Sequence, residues 1–255
     1  MDLRNARILL TGASSGIGRM LALALTERGA EVAVAARRVP ELSTLGAAHV
    51  LPADLSRPGA GAELAGRALD ALGGVDVLIN NAGVSLVGAQ RAHGDADDAR
   101  VTFETNLWAP LALTAALVPE MLRSGRGVVV NVTSTMQAVP LPMLGYYGAA
   151  KAALAQATRS LRHELRHTPV RVLEVVPGAT DTALRDVDLL PWRGRPPRTL
   201  PPVPPEAVAA ATVRALERDR RRVVHPRYSL LPLEIPSVGR LVAAVGARRI
   251  DTARG

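Results

Sequence analysis

The chain has 255 residues, 48% of them hydrophobic, with 31 basic against 23 acidic side chains, a net charge of +8 and no cysteine. That is enough apolar material for one large core, so a single domain is expected, and the missing thiols exclude disulfides and thiolate metal sites and suit a reducing, cytoplasmic setting. The basic residues are scattered and aromatics make up only 2%, which argues against nucleic acid and for small acidic ligands.

In chain order, short apolar runs at Arg7–Leu10, Glu31–Ala35, His49–Leu51, Val75–Asn80, Gly127–Val132 and Val170–Val176 read as strands, with helical patterns between them. Their Val, Ile and Leu residues fall on both parities, which implies burial on two faces. The expected fold class is α/β, a Rossmann-like doubly wound parallel sheet with helices on both faces. The N-terminus runs from Asp2 and Arg4 straight into Ile8–Leu10, unlike a cleavable signal. The longest uncharged stretch, 127–150, carries Asn131, Thr133, Ser134, Gln137 and two prolines, so no membrane span is expected.

After the first strand comes TGASSGIG at 11–18, with glycines at 12, 16 and 18 opening a helix. Glycines there permit a tight turn and a close backbone approach to a pyrophosphate, whose charge meets the free amides of the helix N-terminus. Ser14, Ser15 and Ile17 complete that loop. The second strand ends in Ala36, Arg37 and Arg38, where an acid would otherwise hydrogen-bond the ribose diol of NAD. Two guanidinium groups at this point favour the 2′-phosphate of NADP(H), with NAD(H) use possible.

Tyr147 and Lys151 stand four apart, so on a helix they share a face. Lys151 is the single lysine among the 31 basic residues. A compact ammonium beside a phenol supplies part of what general acid/base work needs, since a free tyrosine titrates near ~10 and a shift of about 3 units costs roughly 4 kcal/mol. Pro110 lies four residues after Asn106 and has no N–H to offer that residue's carbonyl. A rival pattern, HELRH at 163–167, matches the HExxH helix of zinc hydrolases, but Arg162 and Arg166 would set positive charge beside a dication, Thr168-Pro169 ends the helix and no third ligand is evident.

Taken in order, TGxxxGxG at 11–18, Asp54, NNAG at 80–83, Asn106, Ser134, YxxxK at 147–151 and Pro177-Gly178 resemble the short-chain dehydrogenase/reductases, over residues 6 to about 182. The resemblance implies an NADP(H)-dependent oxidoreductase that interconverts a ketone or aldehyde and an alcohol. Tyr147 would be the acid/base, Lys151 its partner and a contact to the nicotinamide ribose, Ser134 a donor to the substrate oxygen, and the Asn106 carbonyl a holder of relay water. It also implies that Asp54 and Leu55 border the adenine, that Asn81, Ala82 and Gly83 steady the sheet beside the cofactor, and that Pro177, Gly178, Thr180 and Thr182 form a lip over the nicotinamide. Helices like 106–122 and 148–166 would pair across subunits in a homodimer or homotetramer. Met136 and Gln137 replace the small residues that relatives often carry after the serine, which places bulk and an amide near the pocket. With Leu86, Val139, Leu141, Met143, Leu184 and Trp192, an apolar pocket is expected. A catalytically silent NADP-binding sensor or scaffold is the alternative reading.

Residues 191–205 hold seven prolines, too many for a helix or central strand, and a lid over 179–205 is expected. The tail, 226–255, mixes leucines with a short helical pattern at Val238–Val245 and reads as lid, subunit contact or both.

Overall fold

The computed structural model describes residues 1–182, 184, 189–194 and 202–254. Seven strands form one sheet: β1 (Arg7–Thr11), β2 (Glu31–Ala36), β3 (His49–Pro52), β4 (Val77–Asn80), β5 (Gly127–Val132), β6 (Val170–Pro177) and β7 (Arg222–His225). Their order is β3-β2-β1-β4-β5-β6-β7, and every pair is parallel. The alternation of side chains explains why both parities are apolar. Ile8 and Leu10 join one core layer with Leu21 and Leu25 of α1 (Gly16–Thr26), while Leu9 faces the other with Leu113, Leu117 and Met121. Helices α3 (Ala60–Leu72), α6 (Ala109–Arg123) and α7 (Gly145–Glu164) cover the second face, and α8 (Pro205–Glu217) joins α1 on the first. Full burial of each of Leu113, Leu117 and Met121 is worth about 1.5–3 kcal/mol, which fixes α6 on the sheet. The unbroken helical run 97–123 is long and apolar enough to cross a membrane by composition, yet half of its most apolar window is buried inside this fold.

The expected fold is found, with one strand more than the sequence reading gave. β7 adds to the edge of β6 in the register Glu174↔Arg222 to Pro177↔His225. At the opposite end of the strands from the cleft, Asp76 is fully buried and receives Arg7 through its backbone N–H, Nε and a terminal nitrogen, and Arg126 through two nitrogens, all at 2.8–3.1 Å. Burial pushes its carboxyl up, but the hydrogen bonds and charge of Arg7, with Arg126, outweigh it and hold the group below the usual carboxylate range.

The proline-rich stretch lies partly outside the described residues, Arg195 and Arg198 included. Where it is described, its base is pinned: Thr180 bridges Val203, and Trp192 bridges Ile250. The tail folds into α9 (Leu230–Glu234) and α10 (Pro236–Ala247), and Ile250 beyond them is buried with Met143, Leu144 and Leu190.

Candidate active site

Chain order reverses on either side of β1, so the carboxyl ends of β1 and β4 open a crevice at the switch point of the sheet. Gly12 (φ +71°) and Gly16 (φ +53°) take backbone conformations that a side chain disfavours. Gly18 is needed for space: a Cβ there would lie 2.2 Å from the Gly12 carbonyl oxygen and 2.4 Å from Asn81 Nδ2. The Asn81 amide donates to the carbonyls of Thr11 and Gly12, and Thr11 Oγ1 accepts from the backbone N–H groups of Asn81 and Ala82. The loop after β4 therefore braces the glycine turn. No side chain caps the N-terminus of α1, so its first amides face the crevice, the arrangement a pyrophosphate requires. Ser15 takes the N-cap position in extended backbone, with Ile17 on the first turn. Thr182 reaches across from the segment after β6 and its Cγ2 lies 2.9 Å from where a Gly16 Cβ would be.

The two arginines at the end of β2 diverge. Arg38 donates to Ser14 Oγ at 3.1 Å and its Nε lies 3.6 Å from Glu41 of α2 (Val39–Ser43). Arg37 is exposed and acts through its charge on Asp54, whose carboxyl is held low chiefly by the Ser56 hydroxyl. A surface recess of about 410 Å³ beside Ser14 is lined by Arg19, Pro40, Glu41 and Thr44 as well. Arg19 and Glu41, missed by sequence reasoning, thus bracket this end of the crevice. Their signal was present, since Arg19 directly follows the glycine motif. Leu55 turns into the core under α3.

At the other end of the crevice the catalytic candidates converge. Lys151 is buried within α7, its Nζ donates to the Val132 carbonyl at 2.9 Å, and it lies 5.9 Å from the centroid of the Tyr147 ring. Burial drops the ammonium from 10.5 to about 8. A Cβ on Gly83 would meet Asn106 Oδ1 at 3.0 Å, Leu184 Cδ2 at 3.5 Å and Lys151 Nζ at 3.7 Å, which draws these residues to one point. Ser134 caps the 3-10 turn Thr135–Gln137, its Oγ accepting from Met136 N–H at 3.2 Å. The Met136 carbonyl lies 3.2 Å from where Gly148 would carry a Cβ, so the serine turn sits on the first turn of α7, next to Tyr147.

Asn106 falls in a π-helical turn, Glu104–Trp108, closed by Ala109 N–H to the Glu104 carbonyl. The missing N–H of Pro110 accompanies this change of register. The Asn106 side chain clamps Val84, donating to its carbonyl at 2.6 Å and accepting from its N–H at 3.2 Å. A buried ladder, Asn80 Nδ2 to Asn131 Oδ1 and Asn131 Nδ2 to Thr158 Oγ1, both 2.9 Å, fixes α7 on the sheet. Tyr146 is spoken for by other work: its hydroxyl donates to Gly94 at 2.8 Å.

The Gln137 amide donates to the buried Glu174 carboxylate and accepts from Arg159, each at 3.4 Å. Met136 does join an apolar cluster with Leu141, Met143, Leu190, Trp192 and Ile250, whereas Leu86 and Val139 are not part of it. In the HExxH segment, α7 ends at Glu164, His167 receives a hydrogen bond from Arg166 Nε, and the two histidines do not share a helical face. After β6, Gly178 N–H donates to the His225 carbonyl and Thr180 Oγ1 to the Gly178 carbonyl, so Pro177, Gly178 and Thr180 form a fixed rim below Thr182.

A family model described as short chain dehydrogenase matches residues 6–189. The chain belongs to the short-chain dehydrogenase/reductase family. It is 38% identical over 194 residues to 1-deoxy-11-beta-hydroxypentalenate dehydrogenase of Streptomyces avermitilis, covering 72% of each chain. It is 36% identical over 196 residues to dehydrogenase/reductase SDR family member 7B of Rattus norvegicus, covering 71% of this chain and 60% of that one. Among solved structures, a short-chain dehydrogenase from Burkholderia cenocepacia J2315 in complex with NADP superposes with a TM-score of 0.77 at 31% identity, over 97% of this chain and 98% of that one.

Proposed function

We propose that this chain is an NADP(H)-dependent oxidoreductase that interconverts a ketone or aldehyde and an alcohol on a fairly hydrophobic substrate. The observation that carries the reading is the pairing of Tyr147 with a buried Lys151 on one face of α7, with the Ser134 turn packed on the same helix end. The crevice from Gly12 to Gly18 fits a dinucleotide, which when bound supplies or takes the hydride. Arg37 and Arg38, with Arg19 nearby, would hold the 2′-phosphate; Asp54 and the backbone at Leu55 would border the adenine, and Thr182 would meet the nicotinamide end.

In the reducing direction the Tyr147 hydroxyl gives its proton to the substrate oxygen, and in the oxidising direction it takes one. Ser134 Oγ accepts from Met136 N–H, which leaves its own hydrogen to donate to that oxygen. Lys151 would stabilise the ionised phenol and hold the nicotinamide ribose, and the Asn106 carbonyl would hold a water that passes protons toward the lysine. Leu184 over Gly83 and the Met136–Ile250 cluster make the binding walls apolar. The described parts of 179–205, at 179–182, 184, 189–194 and 202–205, would form the base of a lid, and 226–254 the tail of one domain. Exposed Trp108, at the end of the π-helical turn, and Leu122 on α6 suit a homodimer or homotetramer, and a cytoplasmic location fits the missing thiols.

The test is NADPH- and NADH-dependent turnover over a panel of ketones, aldehydes and secondary alcohols, with Tyr147→Phe as control. Turnover falling about 10²–10⁴-fold in the variant, with NADPH binding kept, is the expected result. Binding without turnover by the wild type across the panel would instead identify a sensor or scaffold.

A further inference from the structure

The tail helices carry two apolar stripes, and only one is used. On α10, Gly239, Ala243 and Gly246 follow the spacing i, i+4, i+7 and face inward. A Cβ at 239 would lie 2.6 Å from the Ala138 carbonyl oxygen, and one at 246 would lie 2.7 Å from Leu141 Cδ2. The second stripe is Val238, Leu241, Val242 and Val245, spaced i, i+3, i+4, i+7. Leu241 is 64% exposed and Val245 54% exposed. α9 meets α10 at 101° and adds exposed Leu231 and Ile235.

The charges around this face select its occupant. Arg227, Arg240 and Arg248 are exposed around it, while the only acid between 226 and 250 is Glu234, already paired with Arg222. A second copy would bring a second arginine rim to the contact and, from this segment, no acid that is not already paired with Arg222. An anionic surface meets no such repulsion. At 12 residues α10 is about 18 Å long, too short to cross a hydrocarbon layer of about 30 Å, but long enough to lie in an interface with its apolar side down.

We infer that α9 and α10 dock the protein onto the surface of an anionic lipid bilayer, through the Leu231–Val245 face and its arginine rim. The inward stripe of α10 meets Leu141 of the apolar cluster around Ile250 and Leu190, which leaves the Leu241–Val245 stripe facing away from the protein. The inference does not depend on the catalytic assignment.

Sedimentation of the full chain with vesicles of phosphatidylcholine, with and without phosphatidylglycerol, tests it. Expected are binding that needs the anionic lipid and falls with added salt, loss of binding in L241E/V245E, and roughly twenty-fivefold weaker partitioning in R240Q/R248Q, at about fivefold for each arginine. Both variants should keep the wild-type circular dichroism and melting temperature, because these side chains lie outside the core clusters. Failure of the wild type to bind phosphatidylglycerol vesicles, or unchanged binding by L241E/V245E, overturns the inference. So does light scattering in which L241E/V245E dissociates an oligomer without lipid, since the face would then belong to a second copy.

Discussion

Replacing Lys151 with methionine removes the single lysine of the chain at little change in volume, and it exposes how much the fold invests in one buried charge. In the folded protein burial drops this ammonium from 10.5 to about 8, a gap worth about 3 kcal/mol. The sign follows from linkage. Between about 8 and 10.5 the unfolded chain holds a proton that the folded chain has released, so stability rises with pH across that window. Below about 8 the full penalty is present, and above 10.5 it is gone. With no cysteine and no second lysine, few other groups titrate there. Urea unfolding of cofactor-free wild type and K151M at intervals from pH 7 to 10.5 should therefore show the wild type gaining about 3 kcal/mol relative to the variant as pH rises. Two stability curves that run parallel across this range would refute the claim that Lys151 is held against a desolvation penalty.

Arg37→Ala should raise the KM for NADPH about tenfold or more, the worth of one charge-assisted hydrogen bond of roughly 1.5–3 kcal/mol, and leave that for NADH unchanged; steady-state kinetics with both cofactors checks this, and an unchanged preference rejects the 2′-phosphate assignment. Gly18→Ala forces a Cβ to within 2.2 Å of the Gly12 carbonyl oxygen, so nucleotide binding by fluorescence titration should be lost. Gly66→Ala, on an exposed helix position with nothing within 4 Å, should instead stabilise the chain by about 0.4–1 kcal/mol in thermal or urea unfolding. Asp76→Asn leaves the partly exposed Arg7 and Arg126 without their shared carboxylate and should cost about 1.5–3 kcal/mol at neutral pH. Because the folded-state carboxyl titrates below its ordinary value, the contribution of Asp76 is lost as pH falls, and the gap between wild type and variant should narrow in acid.

Much of the site was legible in the chain because it is written in contiguous motifs. The glycine turn needs only a strand before it and a helix after it, and Tyr147 and Lys151 meet on α7 by helical spacing alone. Pro110 likewise marks a break in the helix at Asn106 through a chemical fact, its missing N–H. β7 was not legible: RVVH is four half-buried residues opening on arginine, and it becomes a strand only because β6 offers it an open edge.

The linear sequence by itself determined the alternation of strands and helices, the nucleotide turn and the tyrosine–lysine pair, since each depends on interactions within a few residues. Tertiary structure alone decided that Lys151 spends its hydrogen bond on Val132, that the Gln137 amide meets Glu174, and that Ile250 packs with Leu190. Those partners lie 19, 37 and 60 residues apart along the chain, and only the order of strands in the sheet brings them within reach.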